Sequence, residues 1–98
     1  MNQKDQLSLI DGEFSLEEAK GILMHLYSKK IQFHERRNFS SIEQTGKTDE
    51  KSLKRIEELK GSMIQLEAIL KSPDSMDCML KINSVIQIER VPQPTISH

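Results

Sequence analysis

Residues 49–71, DEKSLKRIEELKGSMIQLEAILK, decide the fold of this chain. Their apolar side chains recur every three or four residues and form a narrow seam: Ile56, Leu59, Met63, Leu66 and Leu70. This spacing is typical of an α-helix that packs lengthwise against another helix. The segment therefore predicts a helix whose partner lies elsewhere in the protein.

The longer amphipathic segment 15–45 is the predicted partner. Ser15 and Glu18 have the spacing of a capping box, which marks the start of a helix. Gly46 is suited to end that helix, because glycine readily adopts a left-handed backbone conformation. Since only a few residues separate this helix from the one over residues 49–71, we expect a long antiparallel helical hairpin and a mainly α fold.

Two short terminal segments fit strands. Residues 7–10 and 82–91 could pair as a small β-ribbon, with Asp11-Gly12 ending the first strand in a turn. A short turn or helix is expected near residues 76–80. The assignment of residues 76–91 stays open between helix and strand, because their apolar side chains fit both periodicities.

Length and composition allow one small domain, residues 1–98, with residues 1–6 and 92–98 predicted to be disordered. A hydrophobic fraction of 36% and the absence of Trp leave little material for a core. We therefore expect self-association, with a coiled-coil-like homodimer that forms a four-helix bundle. The N-terminus lacks the apolar run of a signal peptide and no segment resembles a membrane span, so we expect a cytoplasmic protein without membrane contact.

A second apolar set on residues 49–71 lies about 100° around the helix from the seam. It is the predicted oligomer interface and comprises Leu53, Gly61, Ile64 and Ala68. Small residues at Gly61 and Ala68 would permit close approach of another helix. The alternative is that Gly61 is tolerated on an exposed face, at a cost of about 1 kcal/mol relative to alanine.

The buried face of the first helix becomes polar after Tyr27. At 100° per residue, its centre line continues with polar side chains: Lys30, His34, Asn38, Ser41 and Thr45. If the two helices paired antiparallel about residues 46–47, His34 would lie near Ile56 and Lys60. We interpret His34 as a satisfied core histidine that sets helix register; the alternative is a ligand- or pH-sensing pocket. The candidate polar cluster comprises His34, Asn38, Ser41, Arg55 and Glu58.

Motifs for catalysis or cofactor binding are missing from the sequence. The four glycines are isolated, so they form no phosphate-binding loop, and neither His25 nor His34 follows a Glu at the spacing of a di-iron bundle. The single cysteine, Cys78, fits a buried and inert thiol. We therefore expect a protein that is not an enzyme and that binds no cofactor or metal.

The hairpin tip, residues 28–60, is mildly basic. It holds nine basic and six acidic residues, a charge of +3, whereas the whole chain carries −1. The charges are mixed in sign and no aromatic stacking platform accompanies them, so we interpret the tip as a solvated surface and do not expect nucleic-acid binding.

Three stretches carry a family resemblance: Lys30–His34, Phe39–Glu43 and Ser52–Leu59. They resemble small uncharacterised bacterial proteins with a helical hairpin. The resemblance implies the hairpin fold and brings no activity, substrate or partner with it. It makes His34 and Arg55 the first positions to mutate.

Two hypotheses for function follow. The first is a non-enzymatic protein-interaction or regulatory module that acts through helix packing, with a second copy as the favoured partner and an unidentified protein as the other. The alternative is a small ligand- or nucleic-acid-binding bundle that uses the polar stripe around His34 and the basic tip.

Overall fold

The computed structural model describes residues 4–94, which form a helical hairpin and a two-stranded ribbon. In chain order the elements are β1 (Lys4–Phe14), α1 (Leu16–Thr45), α2 (Glu50–Lys71), a 3₁₀ turn (Pro73–Ser75) and β2 (Leu80–Glu89). The prediction of a mainly α hairpin with a small β-ribbon is confirmed.

Helix α1 begins and ends where its local sequence predicts. The Ser15 hydroxyl accepts a hydrogen bond from the Glu18 backbone N–H at 3.1 Å, and the Glu18 carboxylate accepts one from the Ser15 N–H at 2.9 Å. At the other end Gly46 has φ 74°, and its N–H donates to the Ile42 carbonyl at 2.8 Å. These caps satisfy backbone groups that a helix terminus leaves without intrahelical partners.

Helix α2 follows the N-cap residue Asp49 and ends at Lys71, two residues before Pro73. Its buried residues are Ser52, Ile56, Leu59 and Leu70, which all lie on the predicted seam face. This face packs against α1, where Ala19 is fully buried. The hairpin core is therefore a single thin layer between two helices.

By their contacts, residues 14–80 form one compact unit, and the described parts of 1–13 and 81–98 form another. In the second unit β1 and β2 pair as a two-stranded antiparallel sheet. Arg90 donates a hydrogen bond to the Asp5 carboxylate at 2.9 Å, which links the end of one strand to the start of the other.

Strand β1 is longer than its sequence predicted. The predicted turn at Asp11-Gly12 was wrong, because β1 continues through it. Residues 4–6, for which disorder was predicted, also lie in β1. Pairing with β2 gives these backbone groups hydrogen-bond partners and outweighs the local turn preference. The predicted disorder of residues 1–3 and 95–98 lies outside the described residues.

Residues 76–91, which the sequence left open between helix and strand, form mainly a strand. Strand β2 covers Leu80–Glu89, and residues 90–94 have no regular secondary structure. The short 3₁₀ turn comes earlier than expected, at Pro73–Ser75, because the Ser72 hydroxyl caps it at the Asp74 N–H. Within residues 4–94, no helix is long and apolar enough to cross a membrane.

Candidate functional site at the hairpin tip

The connection between α1 and α2 folds back along the last turns of α1. The Ser41 hydroxyl donates to the Lys47 carbonyl at 2.8 Å, and the Lys47 N–H donates to the Thr45 hydroxyl at 3.2 Å. The Asn38 side-chain oxygen accepts a hydrogen bond from the Asp49 N–H at 2.8 Å. The polar stripe of α1 therefore binds the backbone of the connection, where apolar side chains would leave those groups unsatisfied.

His34 of α1 contacts the first turn of α2. Its Nδ1 lies 3.3 Å from the Ser52 hydroxyl, so His34 is level with Ser52. The expected level with Ile56 and Lys60 was therefore wrong by one to two helical turns. The connection folds back beside α1 until Asp49 binds Asn38, so α2 begins level with Asn38 and not with the end of α1.

Ser52 joins His34 to the N-cap carboxylate of α2. Its hydroxyl donates to Asp49 at 3.1 Å and its backbone N–H donates to the same carboxylate at 3.2 Å. A serine hydroxyl has one hydrogen, so with that hydrogen on Asp49 the His34 Nδ1 is the donor to Ser52. His34 then cannot take a proton from Ser52, and the order His–Ser–Asp is unlike that of a catalytic triad, in which the histidine lies between the other two.

The second ring nitrogen of His34 is a buried acceptor. Its Nε2 is shielded from solvent and has no hydrogen-bond partner within residues 4–94. Burial lowers the pKa of His34, and the positive charges of Lys30, Arg37 and Arg55 lower it further, while Asp49 opposes them. The lowered pKa favours the neutral form of the ring.

Asp49 is held in its charged form. The hydrogen bond from the Ser52 backbone N–H is the main reason that the pKa of Asp49 lies below its usual value. Its position at the N-terminus of α2 adds to this preference, since the helix dipole favours negative charge there. A neutral histidine and an ionised aspartate thus share Ser52.

The predicted polar cluster is divided by the structure. His34, Asn38 and Ser41 lie together along the connection. Arg55 and Glu58 instead form an exposed ion pair at 3.4 Å along α2, and Arg55 acts on His34 only through its charge.

Sequence reasoning missed Ser52 and Asp49 as members of this cluster. A signal was present, because Ser52 lies four residues before Ile56 and so continues the α2 seam toward the tip. Its polarity matches the polarity of the α1 face at the same level.

A second surface of the hairpin is apolar and uncovered. A shallow groove between the two helices is lined by apolar and polar side chains. The apolar ones are Phe39 and Ile42 of α1 and Leu53 and Ile56 of α2, and the polar ones are Glu35, Asn38, Glu57 and Lys60. Ile64 lies on the same stripe of α2, because eleven residues return almost to the same azimuth. We call Phe39, Ile42, Leu53, Glu57, Lys60 and Ile64 the docking face.

The predicted oligomer interface overlaps this docking face in part. Leu53 is half-buried in the groove, and Ile64 is 70% exposed. Gly61 and Ala68 are also exposed, and a Cβ atom at Gly61 would meet nothing within 4 Å. The hairpin itself therefore does not require a glycine at this position.

The structure also shows the position of Cys78 and of the side chains that could hold a metal ion. Cys78 is exposed, so its predicted burial was wrong; it follows the 3₁₀ turn, and its thiol donates to the Asp74 carbonyl at 3.5 Å. Among residues 4–94, no three His, Cys, Asp or Glu side chains are grouped to hold a metal ion.

Comparison with known proteins adds no assignment. No protein-family model matches the sequence, and neither a curated protein nor a solved structure matches the chain. The resemblance to small bacterial helical-hairpin proteins therefore stays a prediction.

Proposed function

We propose that this chain is a protein-interaction module that acts through helix packing at its docking face. The observation that carries the proposal is the exposure of large apolar side chains there: 60% for Phe39, 42% for Ile42 and 70% for Ile64. Phe39 and Ile42 line one groove with Leu53 and Ile56, and exposed apolar side chains grouped in this way commonly mark a site of protein association.

The form of the docking face fits a helix as the partner surface. The groove runs between α1 and α2, and its apolar residues recur at helical spacing on both of them. Helix-in-groove recognition uses such a surface, with apolar anchors from the incoming helix. A second hairpin placed on this face would produce the four-helix arrangement predicted for a homodimer.

The thin core of the hairpin gives a second reason. Only Ala19, Ile56, Leu59 and Leu70 are buried apolar residues of the helices. Covering the docking face would remove further apolar surface from water, at about 25 cal/mol per Å². Association would therefore stabilise the fold as well as provide its function.

An Ile64→Lys variant tests the proposal. Association, with itself or with a protein captured from the native cell, should weaken by about tenfold or more, because a charge replaces an apolar anchor. Light scattering measures self-association, and affinity capture with mass spectrometry identifies other partners. Ile69→Lys is the matched control, since Ile69 is 59% exposed on a different side of α2. Equal effects of the two changes would contradict the proposal.

One observation favours the alternative, a ligand-binding bundle. The unpartnered Nε2 of His34 could accept a hydrogen bond from a small molecule. Asn38, Ser41 and Ser52 are already bound to protein groups, however, which leaves few polar groups free to recognise a ligand. A thermal-shift screen with metals, nucleotides and metabolites tests this alternative; a shift that His34→Ala abolishes would favour it.

Nucleic acid fits the same region less well. Phe33, the aromatic residue beside the cluster, has the Lys30 ammonium 4.8 Å and the Arg37 guanidinium 5.5 Å from its ring centroid. These cations occupy the ring surface on which a base would stack. A gel shift with mixed DNA and RNA tests this possibility.

A further inference from the structure

We infer that the partner of the docking face is a second copy of this chain, with the two α2 helices antiparallel and each Ile64 seated beside the other copy's Leu53. This inference rests on the proposed function and names its partner and geometry. It is carried by the order of side chains along α2 and by the groove beside them.

The docking face of α2 is self-complementary. Leu53, Glu57, Lys60 and Ile64 follow at intervals of four, three and four residues, so they form one stripe. The two apolar residues, Leu53 and Ile64, are the ends of the stripe. The oppositely charged Glu57 and Lys60 lie between them. A two-fold axis between residues 58 and 59 therefore places Leu53 opposite Ile64 and Glu57 opposite Lys60.

The distances agree with this symmetry. Leu53 and Ile64 each lie five and a half residues from the axis, about 8 Å along the helix at 1.5 Å per residue. Every contact then occurs twice, as in an isologous dimer. No other axis along this stripe pairs both the two apolar residues and the two opposite charges.

The charges select the antiparallel orientation. In a parallel arrangement Glu57 would face Glu57 and Lys60 would face Lys60, and like charges across an interface oppose association. Neither side chain makes an ion pair within residues 4–94. Both are therefore free to pair with a second copy.

The groove provides a receptor for the exposed isoleucine. Ile64 projects from the stripe with 70% of its surface exposed, and Leu53 lies in a groove with Phe39 and Ile42 of α1. The two-fold operation brings each Ile64 to the end of the groove that contains Leu53. Knob and hole thus lie on the same surface of one chain, as self-association requires.

Charge reversal tests the pairing in the full-length chain. E57K and K60E should each weaken dimerisation by about tenfold or more, since each change turns two attractive pairs into two repulsive ones. The double variant E57K/K60E should recover most of the wild-type affinity. Sedimentation equilibrium measures the dissociation constants, and circular dichroism confirms that each variant is helical.

Cysteine cross-linking tests the orientation, with Cys78→Ser as the background because Cys78 is exposed. An oxidised mixture of Leu53→Cys and Ile64→Cys chains should form a disulfide-linked heterodimer. Either variant alone should not cross-link, because two copies of one position would lie about 16 Å apart along α2.

The outcomes separate the inference from the proposed function. Recovery in the double reversal and cross-linking only in the mixture support the inference. A dimer without charge recovery, cross-linking of a single variant, or a monomer at all concentrations would overturn it. In the last case, capture of another protein that Ile64→Lys abolishes and Ile69→Lys spares would leave the proposed function standing. If Ile64→Lys and Ile69→Lys both abolished the capture, the proposed function would be overturned as well.

Discussion

The two halves of the helical hairpin are held together by different forces. In the half that contains Ala19, Leu59 and Leu70, apolar side chains are buried between the helices. In the tip half, Asn38 and Thr45 accept hydrogen bonds from backbone N–H groups of the connection, and Ser41 donates one to a carbonyl there. His34 contacts Ser52 at the start of α2. Apolar burial is non-directional and depends on area, whereas hydrogen bonds need particular partners at particular distances.

The contrast between the two halves explains how the register of the hairpin is selected. An apolar seam whose residues lie three and four positions apart would also pack if one helix slid by a turn or by a heptad. The tip would not, because sliding would separate Asn38 from the Asp49 N–H and leave both without their partner. We infer that the apolar half contributes most of the stability and that the tip half selects one alignment.

The largest expected effect comes from the apolar half. Leu59→Ala should lower the free energy of unfolding by about 2–5 kcal/mol, because Leu59 is only 5% exposed and its loss leaves a cavity. Urea denaturation followed by circular dichroism measures the change. Ile69→Ala is the control and should cost about 0.5 kcal/mol or less, since its side chain is largely exposed. Similar losses from both would show that the seam is not the source of stability.

A smaller effect is expected at the tip. Asn38→Ala should cost about 1–2 kcal/mol, because it removes the acceptor for the Asp49 N–H at the start of α2. Gln44→Ala is the control, because Gln44 lies at an exposed position of α1, the helix that contains Asn38. Amide exchange adds a local readout: protection of the Asp49 N–H should fall in Asn38→Ala. Unchanged protection would show that the side chain does not hold the connection.

The smallest expected effect is a pH dependence that originates at His34. Its pKa is lowered in the folded protein, so below about pH 6.5 the unfolded chain binds a proton more readily than the folded one. The free energy of unfolding should therefore fall as the pH decreases through that value, and the fall should end below the folded pKa.

Denaturation at about pH 7.5 and pH 5.5, on either side of the usual histidine pKa, measures this contribution. His34→Gln should reduce the difference in unfolding free energy between the two pH values, while His25→Gln, on an exposed part of α1, serves as the control. A difference that is the same in His34→Gln and wild type would assign the pH dependence to other groups.

Local signals predicted the helices well because the relevant contacts are close in sequence. The capping box at Ser15 and Glu18, the left-handed Gly46 and the stop before Pro73 each depend on residues within one turn. The polar stripe of α1 was also visible in the sequence. Its binding partners were not, because Asn38 and Ser41 bind the connection and His34 contacts Ser52 in the first turn of α2.

Strand β1 shows the opposite case. Asp11-Gly12 is a turn signal by itself, yet these residues lie in a strand paired with a segment about 70 residues later. Pairing at such separation depends on which segments meet, which the local pattern does not encode. The same limit applies to the docking face, whose Phe39 and Ile42 join Leu53 only after the hairpin has closed.

The two capped helices and the apolar seam along the second helix can be read from the amino-acid sequence alone. These features follow from 3.6-residue periodicity and from capping chemistry, which act within a few residues. The contact of His34 with Ser52 and the uncovered groove arise only when the hairpin closes. Both depend on the path of the four connecting residues, because a connection that folds back beside α1 shifts the whole of α2 against α1.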